Sequence, residues 1–504
     1  MIVKALLLIV FFAVMISIGF YSRKHATNVN GFVLGGRSVG PWLTAFAYGT
    51  SYFSAVVFIG YAGQFGYRFG LASTWIGIGN AVIGSLLAWV VLGRRTRIMT
   101  KHLQSVTMPD FFGKRYASKT LCVVASAIAF IFLIPYTASV YSGLSNLFEE
   151  VFGIDFKVCV IIMAVLTGVY VIIGGYMATA LNDFIQGIIM LFGIVAVIGA
   201  VLSGHGGFMA AIKKLAEVPN DVMPGAYASF FGPDPLGLLS VVILTSLGTW
   251  GLPQMVQKFY AIKDEKAVKT GTIISTVFAV VVSGGCYFLG GFGQLTGITA
   301  DASGKVPYDT IIPTMLSVLP DLLIGIVIVL VLSASMSTLS SLVLTSSSTL
   351  TLDFIKPLFV KNMDEKKQLA WMRVLLAFFI VLSVVLALNP PTFIAQLMGI
   401  SWGALAGAFL APFLYGLYWK GVTKAAVWAS FICGVGITVS NMFLNYLGSP
   451  INAGAVAMIV GMIVVPIVSL LSPKLKKETV EDIFVCLDEK VTVERKVALP
   501  KEEE

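Results

Sequence analysis

The sequence of 504 residues predicts an all-α polytopic membrane protein, and three observations carry that prediction. Hydrophobic residues make up 57% of the chain against 12% charged, with a mean hydropathy of +0.91, more apolar surface than a water-soluble fold could hide. Apolar runs near the ~20 residues that cross a bilayer recur along the whole length. Basic residues gather between alternate runs, the asymmetry that sets the topology of membrane helices.

Taken in order, the runs fall at about 2–21, 41–64, 73–93, 120–147, 157–179, 182–203, 236–257, 271–295, 322–349, 371–389, 392–418, 424–446 and 453–472, which makes about 13 transmembrane helices. The first is too long for a signal peptide and lacks a small-residue cleavage pattern before Arg23 and Lys24, so it reads as a retained span. With the N-terminus outside, the inside loops hold the basic groups Arg23 to Arg37, Arg94 to Lys119, Lys258 to Lys269, Lys356 to Arg373, and Lys420 with Lys424. Together with the tail they take 28 of the 34 Lys and Arg. A cytoplasmic C-terminus fits, and the formal charge of +9 follows from this asymmetry rather than from nucleic-acid binding. Cys122, Cys159, Cys286, Cys433 and Cys486 are scattered without metal-ligand spacing. The tail, 473–504, mixes Lys and Glu and reads as a solvated cytoplasmic extension.

Two spans carry helix-breaking chemistry inside them. The second reads Ala47-Tyr48-Gly49-Thr50-Ser51-Tyr52-Phe53-Ser54, and the seventh Thr245-Ser246-Leu247-Gly248-Thr249-Trp250-Gly251-Leu252-Pro253. Interrupted helices in corresponding places of two halves point to a site near the bilayer midplane, where unwound carbonyls hold a cation and half-helix N-termini face an anion. The breaks open two blocks of five spans, 41–203 and 236–418, preceded by an extra span in 1–22 and followed by two more in 424–472.

The ninth span is unusual in another way. Eleven of the seventeen residues from Ser333 to Thr349 carry a hydroxyl, with no charge between Asp321 and Asp353. A hydroxyl in a membrane helix commonly bonds its own i−4 carbonyl, but packing does not require this density of polar groups. Neutral oxygens at bilayer depth suit a hard cation such as Na⁺, whereas a proton carrier needs a titratable group along the path. The spans are nearly empty of such groups. His25, His102 and His205 fall in or beside loops, and among the acids only Asp183 sits near an apolar run, at the opening of span six. There it is either a helix cap or part of an inner ion gate.

At this point the residues resemble a known family. Leu34-Gly35-Gly36-Arg37-Ser38-Val39-Gly40-Pro41, then Thr50-Ser51-Tyr52-Phe53-Ser54 and Phe58-Ile59-Gly60, are similar to the sodium:solute symporter family, especially its proline and pantothenate permeases. Asn182-Asp183-Phe184-Ile185-Gln186-Gly187, Gly251-Leu252-Pro253 and Met336-Ser337-Thr338-Leu339 continue the match in family order from about residue 30 to 420. The resemblance implies a leucine-transporter-like 5+5 inverted repeat and a Na⁺ site between spans two and nine. Its ligands would be the carbonyls of Thr50, Phe53 and Ala334 and the hydroxyls of Ser337 and Thr338. It also implies ion exit past Asp183, a basic gating residue at Arg37, and a substrate-facing Tyr136. With Tyr52, Ser54, Thr245 and Thr249 at the two breaks, Tyr136 completes the expected solute pocket.

The chain departs from the proline permeases at Tyr52 and Val56, where they carry Asp and Trp, and at Thr245 and Thr249, which align with their aromatic pair. The stretch from Thr50 to Gly63 and the Gly-Leu-Pro break look more like pantothenate permeases. The expected protein is a Na⁺-coupled symporter of the plasma (inner) membrane, importing a small carboxylate-bearing solute such as pantothenate, an amino acid like proline, or a monocarboxylate by alternating access. One Na⁺ per solute is expected, with no organic cofactor and no nucleic-acid partner; the solute and the oligomeric state are left open. A receptor or a Na⁺-independent carrier built on the same core is the alternative. An enzyme is disfavoured, because no nucleophile, base or metal set converges in the spans.

Overall fold

The computed structural model describes residues 2–152, 155–302, 304–317 and 319–488, and these are helical throughout, without a β-strand. The principal helices are α1 (Ile2–Ser22), α2 (Pro41–Tyr52), α3 (56–69), α4 (74–102), α5 (Met108–Arg115), α6 (Lys119–Phe152), α7 (Phe156–Gly204) and α8 (Pro235–Gly248). The chain continues through α9 (Pro253–Ala261), α10 (Glu265–Gly290), α11 (Asp321–Thr349), α12 (Glu365–Leu388), α13 (Ile394–Tyr418), α14 (Lys424–Leu444), α15 (Pro450–Leu471) and α16 (Lys477–Asp488).

Their boundaries follow local chemistry. Proline occupies the first turn of α2, α8, α9 and α15, where its missing N–H costs nothing. The side chains of Asp234, Asp264, Asp364, Thr423 and Ser449 cap the free amides at the starts of α8, α10, α12, α14 and α15.

Among the described residues, eleven continuous segments are long and apolar enough to cross a membrane, where the sequence suggests thirteen spans. The difference lies in Val56–His102, of 47 residues, and Phe156–Gly204, of 49, each of which runs through two expected spans. Either segment if straight would extend about 70 Å, more than twice a ~30 Å hydrocarbon core. Each is bent at a glycine of positive φ, Gly70 and Gly175. At Gly175 (φ 56°, ψ −148°) a Cβ would meet Phe32 Cδ2 at 2.8 Å and the Phe32 carbonyl oxygen at 2.9 Å, so both the turn and the approach of the Val29–Leu34 helix need glycine.

The interior belongs to α11 and α13. Helix α11 packs on α2, α6, α7 and α12, and α13 on α6, α8, α14 and α15. Apolar side chains such as Phe192, Ile273 and Val385 project outward from the periphery, as in a surface that faces lipid.

Two expectations need correction. Helix α16, inside the supposedly solvated tail, buries Val480, Ile483 and Phe484. It packs on α4, with His102 Nε2 2.9 Å from the Asp482 carbonyl and the Arg115 guanidinium 4.9 Å from the Phe484 ring. Its short apolar face escapes a search for long runs; the rest of the tail, 489–504, lies outside the described residues. Lys258, assigned from the sequence to an inside loop, is instead a buried residue of α9, 1% exposed.

Candidate functional site

The second expected span breaks where the sequence places it. Helix α2 ends at Tyr52, Phe53 leaves helical geometry (φ −104°, ψ 88°), and Ser54 restarts the chain by accepting from Val56 N with its Oγ at 3.2 Å. The seventh breaks likewise between α8 and α9, across Trp250, Gly251 and Leu252, before Pro253 resumes the helix.

Facing the first break, α11 sorts its hydroxyls into two kinds. Ser335, Ser340, Ser347 and Ser348 donate to carbonyls one turn earlier in their own helix. Others reach across. Ser337 Oγ lies 3.1 Å from the Thr50 carbonyl and 3.1 Å from that of Ala334; Thr338 Oγ1 lies 3.2 Å and 3.1 Å from the same two oxygens. Four of the five expected ion ligands, Thr50, Ala334, Ser337 and Thr338, therefore converge, all of them buried. Such a set of neutral oxygens can replace a cation's hydration shell. Phe53 stands at the break itself, its N–H on the Gly49 carbonyl at 3.0 Å. The Ser51 carbonyl, 3.5 Å from Thr338 Oγ1, is a further oxygen that the motif match had not singled out.

The five expected solute residues gather beside this cluster. Tyr52 donates its hydroxyl to the Thr245 carbonyl at 2.5 Å, which ties the first break to the second. Thr249 Oγ1 lies 3.2 Å from the Gly84 carbonyl, an oxygen that also accepts from Tyr48. A Cβ on Gly84 would come within 2.3 Å of the Tyr52 hydroxyl, so only glycine lets α4 approach there. The Tyr136 hydroxyl faces the Ser54 side chain. Trp402 of α13 closes the group, its ring centroid 6.0 Å from Tyr52 and 5.9 Å from Tyr136. Sequence reasoning missed Trp402, because one aromatic in an apolar helix reads as packing. Every member of the cluster is buried, so the group is closed off from solvent.

Asp183 lies in α7, two turns past the bend at Gly175, so it cannot occupy the first turn of a helix. Neither carboxylate oxygen accepts a hydrogen bond among the described residues, and the capping reading falls. Its ionic neighbour is Lys258, with Nζ 3.9 Å from Oδ2. Two more acids missing from the sequence inventory are enclosed, Asp353, buried beyond α11, and Asp309, half-buried in the connection between α10 and α11; both sit near helix ends, where a hydropathy scan sees only loop.

Arg37 belongs to a different cluster. It donates to the carbonyls of Ser105 and Tyr260 and approaches Thr100 Oγ1 at 3.5 Å, binding the loop before α2 to the ends of α4 and α9. Burial, with the neighbouring Arg97 guanidinium, lowers its pKa to about 10. A backbone clamp reinforces this strap: Val39 N donates to Ala261 O at 3.2 Å, and Lys263 N to Val39 O at 3.0 Å.

An all-helical bundle with two opposed helix breaks defines a secondary transporter of the leucine-transporter-like fold. Solved structures share it. A Na⁺-coupled sialic acid symporter in a substrate-bound outward-open state matches with a TM-score of 0.74 at 17% identity, over 94% of this chain and 99% of that one. MhsT in complex with L-phenylalanine matches with a TM-score of 0.54 at 13% identity, over 85% and 97%.

The model of the sodium:solute symporter family matches residues 32–434, and the chain belongs to that family. A sodium/proline symporter of Staphylococcus aureus (strain JH9) is 31% identical over 94% of this chain and 93% of its own length. The osmoregulated proline transporter OpuE of Bacillus subtilis (strain 168) is 29% identical over 84% and 86%. The activity is Na⁺-coupled transport of a small solute through a membrane, not catalysis.

Proposed function

We propose that this protein imports a small carboxylate-bearing solute, proline first among the candidates, together with one Na⁺ across the plasma membrane. In this reading the N-terminus is outside and the C-terminus cytoplasmic, as the basic residues indicate. The observation that carries the ion site is the convergence of the Ser337 and Thr338 hydroxyls on the Thr50 and Ala334 carbonyls, each within 3.2 Å. The Phe53 carbonyl completes the set on the unwound strand. Na⁺ there bridges the broken α2–α3 pair to α11 and stabilises one arrangement of the two, which is how an ion biases a conformational equilibrium.

Tyr52, Ser54, Tyr136, Thr245 and Thr249 form the solute pocket beside it. The named relatives move proline, which supports an amino acid of that size; the polar Thr245 and Thr249 support a solute with more hydrogen-bonding groups than a bare hydrocarbon ring. Asp183 and Arg37 stand on the way out, one beside the ion path and the other in the strap.

A thermal-shift screen of the purified protein tests this with proline, pantothenate and small monocarboxylates, in NaCl and in choline chloride. A ligand that binds only the folded state raises stability by RT ln(1 + [L]/Kd), so a transported solute should raise the melting temperature more in sodium. Stabilisation by proline alone in NaCl names the solute, and by pantothenate alone reassigns it. Stabilisation indifferent to sodium contradicts the coupled mechanism and favours a Na⁺-independent carrier or a receptor.

A further inference from the structure

Lys258 places an amino group in the interior of a membrane protein, 1% exposed, and neither the helix breaks nor the proposed solute pocket accounts for it. An ammonium at such depth is costly unless its donors are engaged, so its surroundings carry information about its role. Its Nζ donates to Ser341 Oγ at 2.9 Å, and Ser341 Oγ lies 2.8 Å from Ser51 Oγ. Asp183 Oδ2 is 3.9 Å away, and the Tyr176 ring centroid 5.2 Å. Ser341 follows Ser337 and Thr338 by one helical turn on the same face of α11, and Ser51 follows Thr50 in the last turn of α2. The ammonium thus sits one turn from the candidate Na⁺ site, on oxygens that continue the same path.

The pairing with Asp183 is loose. At 3.9 Å the two charges attract without a hydrogen bond between them, and both Asp183 oxygens remain free of hydrogen-bond donors among the described residues. A tightly locked structural pair would use those lone pairs; this one leaves them able to serve a second cation. Thr345, one turn beyond Ser341, donates to Gln257 Oε1 at 2.7 Å, so the polar stripe of α11 continues past the lysine toward the Lys356 end.

We propose that Lys258 is a tethered cation of the transport cycle. Its ammonium holds the Ser51–Ser341–Asp183 position when Na⁺ is absent from the path, and Na⁺ leaving the adjacent site must displace it. Lys258 then opposes Na⁺ by charge, with Ser341 holding its ammonium against the adjacent site, and it supplies the carrier returning without Na⁺ with a counter-charge for Asp183. It is a positioning residue, and its role rests on the Na⁺ site placed at Thr50, Ala334, Ser337 and Thr338.

The test is Na⁺ binding to the purified full-length protein, followed by the melting temperature in NaCl titrations at constant ionic strength with choline chloride. Removing a tethered competitor should tighten binding, an outcome that simple structural damage does not produce. Lys258→Met and Lys258→Gln should each lower the apparent Kd for Na⁺ about tenfold, a coupling of ordinary size between two sites, while Lys258→Arg should stay within about threefold of the parent. Ser341→Ala, which strips the ammonium of a hydroxyl without changing any charge, should shift the Kd in the same direction by a smaller factor and decides the matter if the Lys258 variants do not fold. Unchanged or weaker Na⁺ binding in the neutral variants, or in Ser341→Ala where only it folds, overturns the proposal. Failure of the underlying site shows separately: Ser337→Ala and Thr338→Ala would then leave the Na⁺ titration where it was.

Discussion

Ser337 and Thr338 each make two contacts that no other α11 hydroxyl duplicates, one to Thr50 and one to Ala334. Replacing either by alanine removes a prospective ion ligand and leaves buried carbonyls less satisfied, a loss of ~1–2 kcal/mol that corresponds to roughly a tenfold rise in half-saturating Na⁺. Titrating uptake with Na⁺ at fixed solute measures it. Solute affinity at saturating Na⁺ should change far less. The pocket predicts the complementary result: Tyr136→Phe and Thr249→Val should weaken solute binding roughly fivefold each, by loss of about 1 kcal/mol of hydrogen bonding, at little cost in Na⁺ affinity. Isothermal binding curves in saturating NaCl would show it, and unchanged solute affinity in both variants would mean that the pocket is drawn in the wrong place.

At the scale of elements, the bends and loop contacts make separate predictions. Gly175→Ala forces a side chain into positive φ and against Phe32, so it should destabilise the fold by about 1–3 kcal/mol, visible as a lower melting temperature without a change in Na⁺ affinity. Asp309 ties the connection between α10 and α11 to the start of α13 by accepting from Ile394 N at 3.2 Å. Burial pushes its carboxyl up to about 6, against the opposing pull of that N–H. The folded value lies above the ordinary one of 3.8, so the folded state holds the proton more tightly than the unfolded chain does. Stability from this group is complete below about pH 4 and is lost as pH rises through about 6. Melting curves between those limits should show the decline in the parent and a flatter profile in Asp309→Asn; superimposable profiles would remove Asp309 from the account.

Much at this scale was legible in the sequence. Long apolar runs mark helices because each must satisfy its own backbone in lipid, and Gly-Leu-Pro or Phe-Ser at a break is written in the local residues. What was not legible depended on distant neighbours. Lys258 reads as one more inside-loop charge until α11 and α7 fold around it, Trp402 joins the pocket only because α13 crosses both breaks, and α16 finds its partners more than 350 residues earlier in α4. The two merged segments differ from the sequence reading in another way: the chain bends at Gly70 and Gly175 without a long loop, so two expected spans follow one another inside one segment.

For the whole molecule, the proposed pocket lies between two sets of contacts of different kinds. At one end Arg37 and the Val39 backbone strap the start of α2 to the ends of α4 and α9; at the other, Asp309 and its loop sit over α3 and the start of α13, with Gly63 close against the Tyr308 carbonyl. Alternating access requires that these close in turn around a fixed centre, and the centre is the seam between the broken helices and α11. Breaking the strap should therefore change the balance of states rather than the binding chemistry. Arg37→Gln should make a cysteine placed near the Lys-rich end more reactive toward a membrane-impermeant thiol reagent in the absence of Na⁺, with Na⁺ reversing much of the effect; equal labelling in both variants would deny the strap a gating role. In the proposed import reading, an inward Na⁺ gradient, with ~2.3 kcal/mol per charge for each 100 mV of interior-negative potential, would drive the cycle. The most direct test is labelled proline uptake into proteoliposomes under an imposed inward Na⁺ gradient, for the parent and for Ser337→Ala/Thr338→Ala. The account predicts transient accumulation above equilibrium in the parent that disappears when choline replaces Na⁺ and is nearly abolished in the variant; accumulation indifferent to Na⁺, or undiminished in the variant, would contradict it.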